Sequence, residues 1–238
     1  MPNAKNYVPL DNNHKFLIVG DYGTGKSTFA ATCPEPGFLF NFDNRAVTYK
    51  GKDFDYETFP ITSKGWVDFE KKSIEVRKDV ANGKYKTVIL DSTTSMTDLA
   101  MERALMLDPK RTTTNGPIWN IHFMMVRNLI EGRIRQFINL DCNLVVCSHL
   151  NIVQDQETGA VIDIVPLLTG QLSVKIPGYF DEVYIATTKR KKDRTEYLLQ
   201  TVPIGLRKAR SALSGKERLL PDFIPNDYNE VIRHLKKK

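Results

Sequence analysis

Cysteine is almost missing from this chain: 238 residues hold three, Cys33, Cys142 and Cys147, each inside or beside an apolar segment and none at metal-ligand spacing. That excludes a disulfide framework and leaves the three as small core residues. Long apolar runs are missing too, and none approaches the roughly 18 residues needed to span a bilayer. The opening MPNAKNYVPLDNNH lacks a basic region followed by an apolar stretch, so it is not read as a secretory signal. The chain is expected in the cytoplasm, with no membrane partner. Internal repeats are absent. Nor does charge of one sign dominate: 34 Lys and Arg against 28 Asp and Glu leave a net +6, with a pI near 9.1. Such a mild excess permits a polyanionic partner without requiring one.

What is present is globular material, 41% hydrophobic and 26% charged, long enough for one α/β domain. Apolar runs at 15–20, 37–42, 85–90, 143–148, 181–188 and 196–202 read as strands, with amphipathic stretches between the first four. That alternation predicts a mostly parallel sheet flanked by helices. The clearest helix is 118–139, where Trp119, Phe123, Val126, Ile130, Ile134 and Phe137 recur every three or four residues and predict one buried stripe. Another runs from near Ser92 through Leu105, after which 108–117 breaks all periodicity and reads as an exposed loop. From 181 onward two β-rich runs joined by Lys189–Arg194 predict an antiparallel hairpin at the sheet edge. The chain thus divides into an N-terminal extension (1–13), a core (14–225) and a C-terminal helix or tail (226–238).

The stretch Gly20-Asp21-Tyr22-Gly23-Thr24-Gly25-Lys26-Ser27-Thr28 satisfies G-x-x-x-x-G-K-[ST], with a strand before it and a helix predicted from Ser27 to Thr32 after it. Glycines let the backbone turn its N–H groups toward an anion, and a helix N-terminus adds its positive end. Lys26 then reaches the β and γ phosphates, while the Ser27 hydroxyl ligates Mg²⁺. Asp91, ending the apolar run Thr87–Asp91, is read as the second metal residue, although an aspartate before Ser92-Thr93 also suits a helix cap. Hydrolysis needs a further group to orient or deprotonate water. The residue after Asp91 is Ser92, not a glutamate, so the candidate is Asp43, after Phe38-Leu-Phe-Asn-Phe42; it also suits an ordinary turn. His149, closing Leu144–His149, is either a γ-phosphate sensor or a satisfied histidine at a strand end.

In this order, GDYGTGKST, FLFNFDNR, TVILDSTTSM and LVVCSHL resemble the core of RecA-type recombinases. The later VPLLTGQLSVKIPGYFDEVYIATTK resembles phage-encoded RecA-like ATPases associated with single-strand annealing, and the resemblance covers residues 14 to 225. It implies a RecA-like fold, ATP with Mg²⁺, single-stranded DNA as partner and a single-strand-binding protein nearby. Lys26 and Ser27 stand at the family's phosphate and metal positions, Asp91 at its second metal position and Asp43 at its water-activating carboxylate. His149 stands where RecA carries a glutamine coupling nucleotide state to DNA. Two departures accompany it. Asp43 is a methylene shorter than the usual glutamate, which implies slow hydrolysis, and residues 1–13 contain no clear helix with which to grip a neighbour. Tyr7-Val-Pro-Leu10 offers an extended tether instead, and ring or filament assembly stays open.

The resemblance also places two DNA-contacting loops. One is 108–117, with Lys110 and Arg111; the other is about 151–170, which reads equally as a β-hairpin around Glu157-Thr-Gly159. Lys189, Arg190, Lys191, Lys192 and Arg194 form either a solvated hairpin tip or a further DNA contact. Lys208 and Arg210 fall where RecA proteins send basic residues to a neighbour's γ-phosphate, so they are expected to act in trans. Lys236 to Lys238 read as a frayed helix end. The expected function is a DNA-stimulated ATPase promoting annealing or homologous recombination. A nucleoside or nucleotide kinase, and an ATP-switched binding module with little hydrolysis, are the alternatives.

Overall fold

The structure is a computed structural model that describes residues 13–212 and 220–236. The expected tether at 7–10, and Lys237 and Lys238, lie outside the described residues. Strand β1 (Lys15–Val19) leads into helix α1 (Lys26–Ala30), β2 (Gly37–Asn41), β3 (Phe54–Thr58), α2 (Ser63–Ala81), β4 (Thr87–Asp91) and α3 (Thr93–Leu107). Helix α4 (Met124–Ile138) and β5 (Asn143–Ser148) follow, then β6 (Leu150–Gln154), β7 (Val161–Pro166) and the short α5 (Leu172–Lys175). The chain ends in β8 (Glu182–Arg190), β9 (Thr195–Gln200), β10 (Arg210–Ser211), β11 (Phe223–Pro225) and α6 (Tyr228–Leu235).

One sheet runs β11-β9-β8-β1-β5-β4-β2-β3, with β10 also pairing β8. The strands from β3 to β8 along that order pair in parallel, whereas β9, β10 and β11 join antiparallel. The expected sheet and C-terminal hairpin are therefore present. Central strands are buried on both faces, as a parallel sheet between helix layers requires. Side chains alternate across it with period two. Leu17, Val19, Phe40, Leu90 and Val146 enter one core with α2, α3 and α4. Phe16, Ile18, Leu39, Ile89 and Val145 enter the other, with α1 and α6. The segment 226–238, read in the sequence as a C-terminal helix or tail, carries α6, whose Tyr228, Val231 and Ile232 are buried in that second core.

Strand β3, FDYET, escapes a reading by apolar runs because it is an edge strand, with mostly polar side chains exposed on its outer positions. The 151–170 segment forms the hairpin β6–β7, a separate two-stranded sheet. The buried stripe expected on 118–139 needs correction. Residues Trp119–Phe123 form a π-helical turn before α4 begins. An i→i+5 turn inserts residues relative to the 3.6 period, so it shifts the phase of the exposed face. Val126, Ile130, Ile134 and Phe137 are buried as expected, but Trp119 is 65% exposed and His122 takes the buried position in its turn.

Candidate functional site

Strands β1, β2, β4 and β5 are parallel neighbours, so the loops after Val19, Asn41, Asp91 and Ser148 converge on one edge of the sheet. Between them lies a cleft of about 720 Å³ whose lining includes Lys26, Ser27, Asp43, Asp91 and His149. Ligands in open α/β sheets bind at such carboxyl ends.

The loop from Gly20 to Gly25 is shaped by close packing. A Cβ on Gly20 would meet Thr24 Oγ1 at 2.6 Å and the Ala186 carbonyl oxygen at 2.8 Å, so only glycine fits. Gly25 caps α1 in the left-handed region, at φ 90°, and its carbonyl accepts a 2.9 Å bond from Asn226 Nδ2. A Cβ there would stand 2.4 Å from that same nitrogen and 3.0 Å from the Tyr197 ring. The Lys26 ammonium is buried and donates to the Gly20 and Asp21 carbonyls, both at 2.9 Å. Burial pulls its pKa below the ordinary lysine value. An ammonium desolvated beside turned backbone is a cation for which an anion is the fitting partner.

Ser27 Oγ donates to Asp91 Oδ2 at 2.6 Å, and the buried Tyr49 hydroxyl donates to the same oxygen at 3.1 Å. Burial pushes the Asp91 carboxyl above the usual carboxylate range, with the Asp43 charge acting in the same direction. A hydroxyl beside a carboxylate is a hard oxygen pair that fits Mg²⁺. Among the described residues no three His, Cys, Asp or Glu side chains come together as a metal cage. Ser27 and Asp91 would therefore hold the ion from the protein side, with phosphate and water completing its shell. A divalent ion held there would supply charge neutralisation to a neighbouring phosphate.

Asp43 follows β2 by two residues, and Oδ1 accepts from Ser92 Oγ at 2.9 Å and Ser95 Oγ at 2.5 Å. The Phe42 and Asp43 amides donate to the Asp91 carbonyl at 2.8 and 3.3 Å, tying the two carboxylate loops together. His149 Nδ1 stands 3.4 Å from Lys26 Nζ, and the Tyr22 ring lies 6.0 Å from the imidazole. Burial, then the Lys26 charge, lowers the His149 pKa below the ordinary histidine value. The site also includes Arg45, Tyr49, Ser95, Tyr197 and Asn226, which sequence reading missed. Ser92 and Ser95, in a motif read for its aspartate, were the one signal available; Tyr197 and Asn226 arrive from the far end of the chain and leave no local trace.

The remaining candidates stand apart from the cleft. Lys110 and Arg111 lie on the expected loop, where the Arg111 guanidinium is occupied by the Leu105, Asp108 and Lys110 carbonyls. Lys189, Arg190 and Lys192 are exposed along the β8–β9 hairpin, and Lys191 and Arg194 pair with Glu196. Lys208 pairs with Asp163 at 2.7 Å, and Arg210 bonds the Phe180 carbonyl, so both are engaged within their own chain.

Residues 12–212 match the family model described as "AAA domain". No curated protein matches the chain. A solved structure described as a KaiC-like protein from the hyperthermophilic archaeon Pyrococcus horikoshii OT3 is similar over 90% of this chain and 85% of that one, at 13% identity and a TM-score of 0.51. That likeness is one of fold, a RecA-like P-loop architecture.

Proposed function

The chain belongs to this AAA-domain family of P-loop ATPases and carries its ATP-binding cleft on a RecA-like fold, and from that premise we propose that it is a Mg²⁺-dependent ATPase stimulated by single-stranded DNA, acting in annealing or homologous recombination. The observation that carries the proposal is the grip of Ser92 and Ser95 on Asp43. Those serines sit at the start of α3, whose far end opens into the basic loop 108–117. A strand held on that loop can thereby bear on the group that orients water. Lys26 holds the phosphates, Ser27 and Asp91 the metal, and Asp43 accepts the proton of the attacking water. His149 stands between Lys26 and β6, positioned to report the nucleotide's state to the hairpin.

The same grip favours one second reading, an ATP-switched DNA-binding module, because a short carboxylate held by two hydroxyls is restrained from reaching water. The kinase alternative finds less support, since the segment Lys189–Arg194 closes a hairpin and pairs with Glu196 instead of forming a lid.

Steady-state ATP hydrolysis with and without single-stranded DNA tests the proposal, with Lys26→Ala as the blank. We expect stimulation by DNA and loss of turnover by at least about 100-fold in the variant, in keeping with removal of one preorganised charge from the transition state. Turnover unmoved by DNA, with DNA bound tightly under a non-hydrolysable ATP analogue, supports the switch. Neither stimulation nor binding sinks both readings.

A further inference from the structure

Trp119 and Phe123 occupy the π-helical turn with their rings 4.5 Å apart, tilted by 35°. They form one wall of a groove of about 430 Å³ whose other wall is Thr169, Gly170 and Gln171; Met124 and Arg127 continue the first wall. Its lining includes one basic residue and no acidic one. One turn further along α4, the acid Glu131 is taken up by Lys175, Arg135 and Tyr179. The turn that carries the rings is pinned on its buried side: His122 accepts from the Ile118 amide at 2.8 Å and meets the Asp108 carbonyl at 2.9 Å.

Both walls trace back to the nucleotide cleft. Asp108 closes the helix whose first turn carries the serines on Asp43. On the opposite side, the Leu167 amide donates to the His149 carbonyl at 2.7 Å, two residues before Thr169. We propose that this groove is a stacking site for an unpaired nucleobase of a single strand, with Trp119 and Phe123 as the platform and Arg127 meeting an adjacent phosphate. The proposal rests on the DNA-binding reading above and names where the strand is held. A flat aromatic face takes any base, which suits a protein that must bind without regard to sequence. Cationic and polar edges, from Arg127, Asn120, Thr169 and Gln171, complement a polyanion bearing hydrogen-bonding bases. An exposed indole beside a lone arginine would gain less from an acidic or neutral protein surface with no strand to stack.

The chain reports on this site by itself. It has two tryptophans, and Trp66 is fully buried while Trp119 is open. Full-length protein with Mg²⁺ and a non-hydrolysable ATP analogue is titrated with oligothymidylate. Tryptophan emission and the anisotropy of a labelled strand are read in parallel. The expected result is quenching that follows the binding curve, with Trp119→Ala binding about 5- to 100-fold more weakly, the range of one lost stack. Trp119→Phe should keep most of the affinity and lose the quench, and both variants should bind the nucleotide alone as the parent does. Strand binding with unchanged emission, and undiminished binding by Trp119→Ala, overturns the groove while leaving the DNA reading intact. Failure of the parent protein to bind the strand at all overturns the DNA reading itself. Emission that shifts with protein concentration in the absence of DNA, and no further with it, assigns the groove to a second copy of the chain and also overturns the proposal. Should Trp119→Ala fold poorly, Trp119→Phe and Arg127→Gln serve instead.

Discussion

Asp91 Oδ2 accepts two hydroxyls, Ser27 from the phosphate loop and Tyr49 from the turn after Asp43. In the proposed metal-bound state Ser27 would turn to the ion, leaving Tyr49 as the donor that fixes the carboxylate. Tyr49→Phe should cost about 1–2 kcal/mol of stability, because a buried carboxylate loses a partner. It should also raise the Mg²⁺ concentration at which nucleotide binding is half complete, while metal-free nucleotide affinity stays unchanged. Denaturant unfolding and metal titration check the two effects separately. His149 gives a pH signature. Its folded pKa lies below the ordinary value because burial first, and then the Lys26 charge, oppose its protonation, with Asp43 and Asp21 favouring it more weakly. The unfolded chain therefore takes up the proton first as pH falls. Stability from this residue is intact above roughly pH 6.5 and is lost as pH drops below that value. Thermal unfolding of the ligand-free protein should show this slope, and His149→Gln should flatten it. An equal slope in the variant would assign the effect elsewhere.

Among the elements, α6 and the segment before it tie the end of the chain to the phosphate loop. Asp227 caps α6 by accepting from the Asn229 and Glu230 amides, and Tyr228 packs edge-on against Phe16 at 5.9 Å. This fixes Asn226 over Gly25, where a side chain from the end of the chain braces the phosphate loop. Asn226→Ala should reduce stability by about 1 kcal/mol, the value of one buried hydrogen bond. It should also weaken nucleotide binding more than turnover at saturation, since it loosens the loop's ground state. Calorimetry and a KM-against-kcat comparison test this. The π-helical turn is the other decisive element. The 118–139 repeat predicts helix correctly, but apolar periodicity cannot reveal a local change of pitch. Of the two rings expected inside at that turn, Trp119 consequently faces outward and Phe123 is only half-buried.

For the whole molecule, Lys208 and Arg210 bear on assembly. Their partners Asp163 and Phe180 lie in the same chain, yet the Lys208 side chain remains 65% exposed. If they serve a neighbour's nucleotide, turnover per chain should rise with protein concentration, and Lys208→Ala/Arg210→Ala should lower it by about 10³-fold or more at saturation. Loss of less than tenfold, with turnover independent of concentration, would make them structural. Gly20 to Ser27, Asp91 and the run of buried strands were legible in the sequence because each obeys a local rule. Phosphate loops need glycine at set spacings, and parallel strands buried on both faces must be continuously apolar. Asp43 and His149 were legible as positions at strand ends, since the loops after parallel strands share one edge. The partners of those groups were not: Tyr49 on Asp91, Ser95 on Asp43, Asn226 on Gly25 and His122 on the Asp108 carbonyl all depend on where separate elements meet. The sequence alone determined the nucleotide-binding chemistry and the parallel α/β sheet, through short-range spacing and hydrophobic pattern. Only tertiary structure decided which hydroxyls restrain the carboxylates and which aromatic face stays in water, because contacts across 40 to 200 residues follow from packing and leave no periodic mark on the chain.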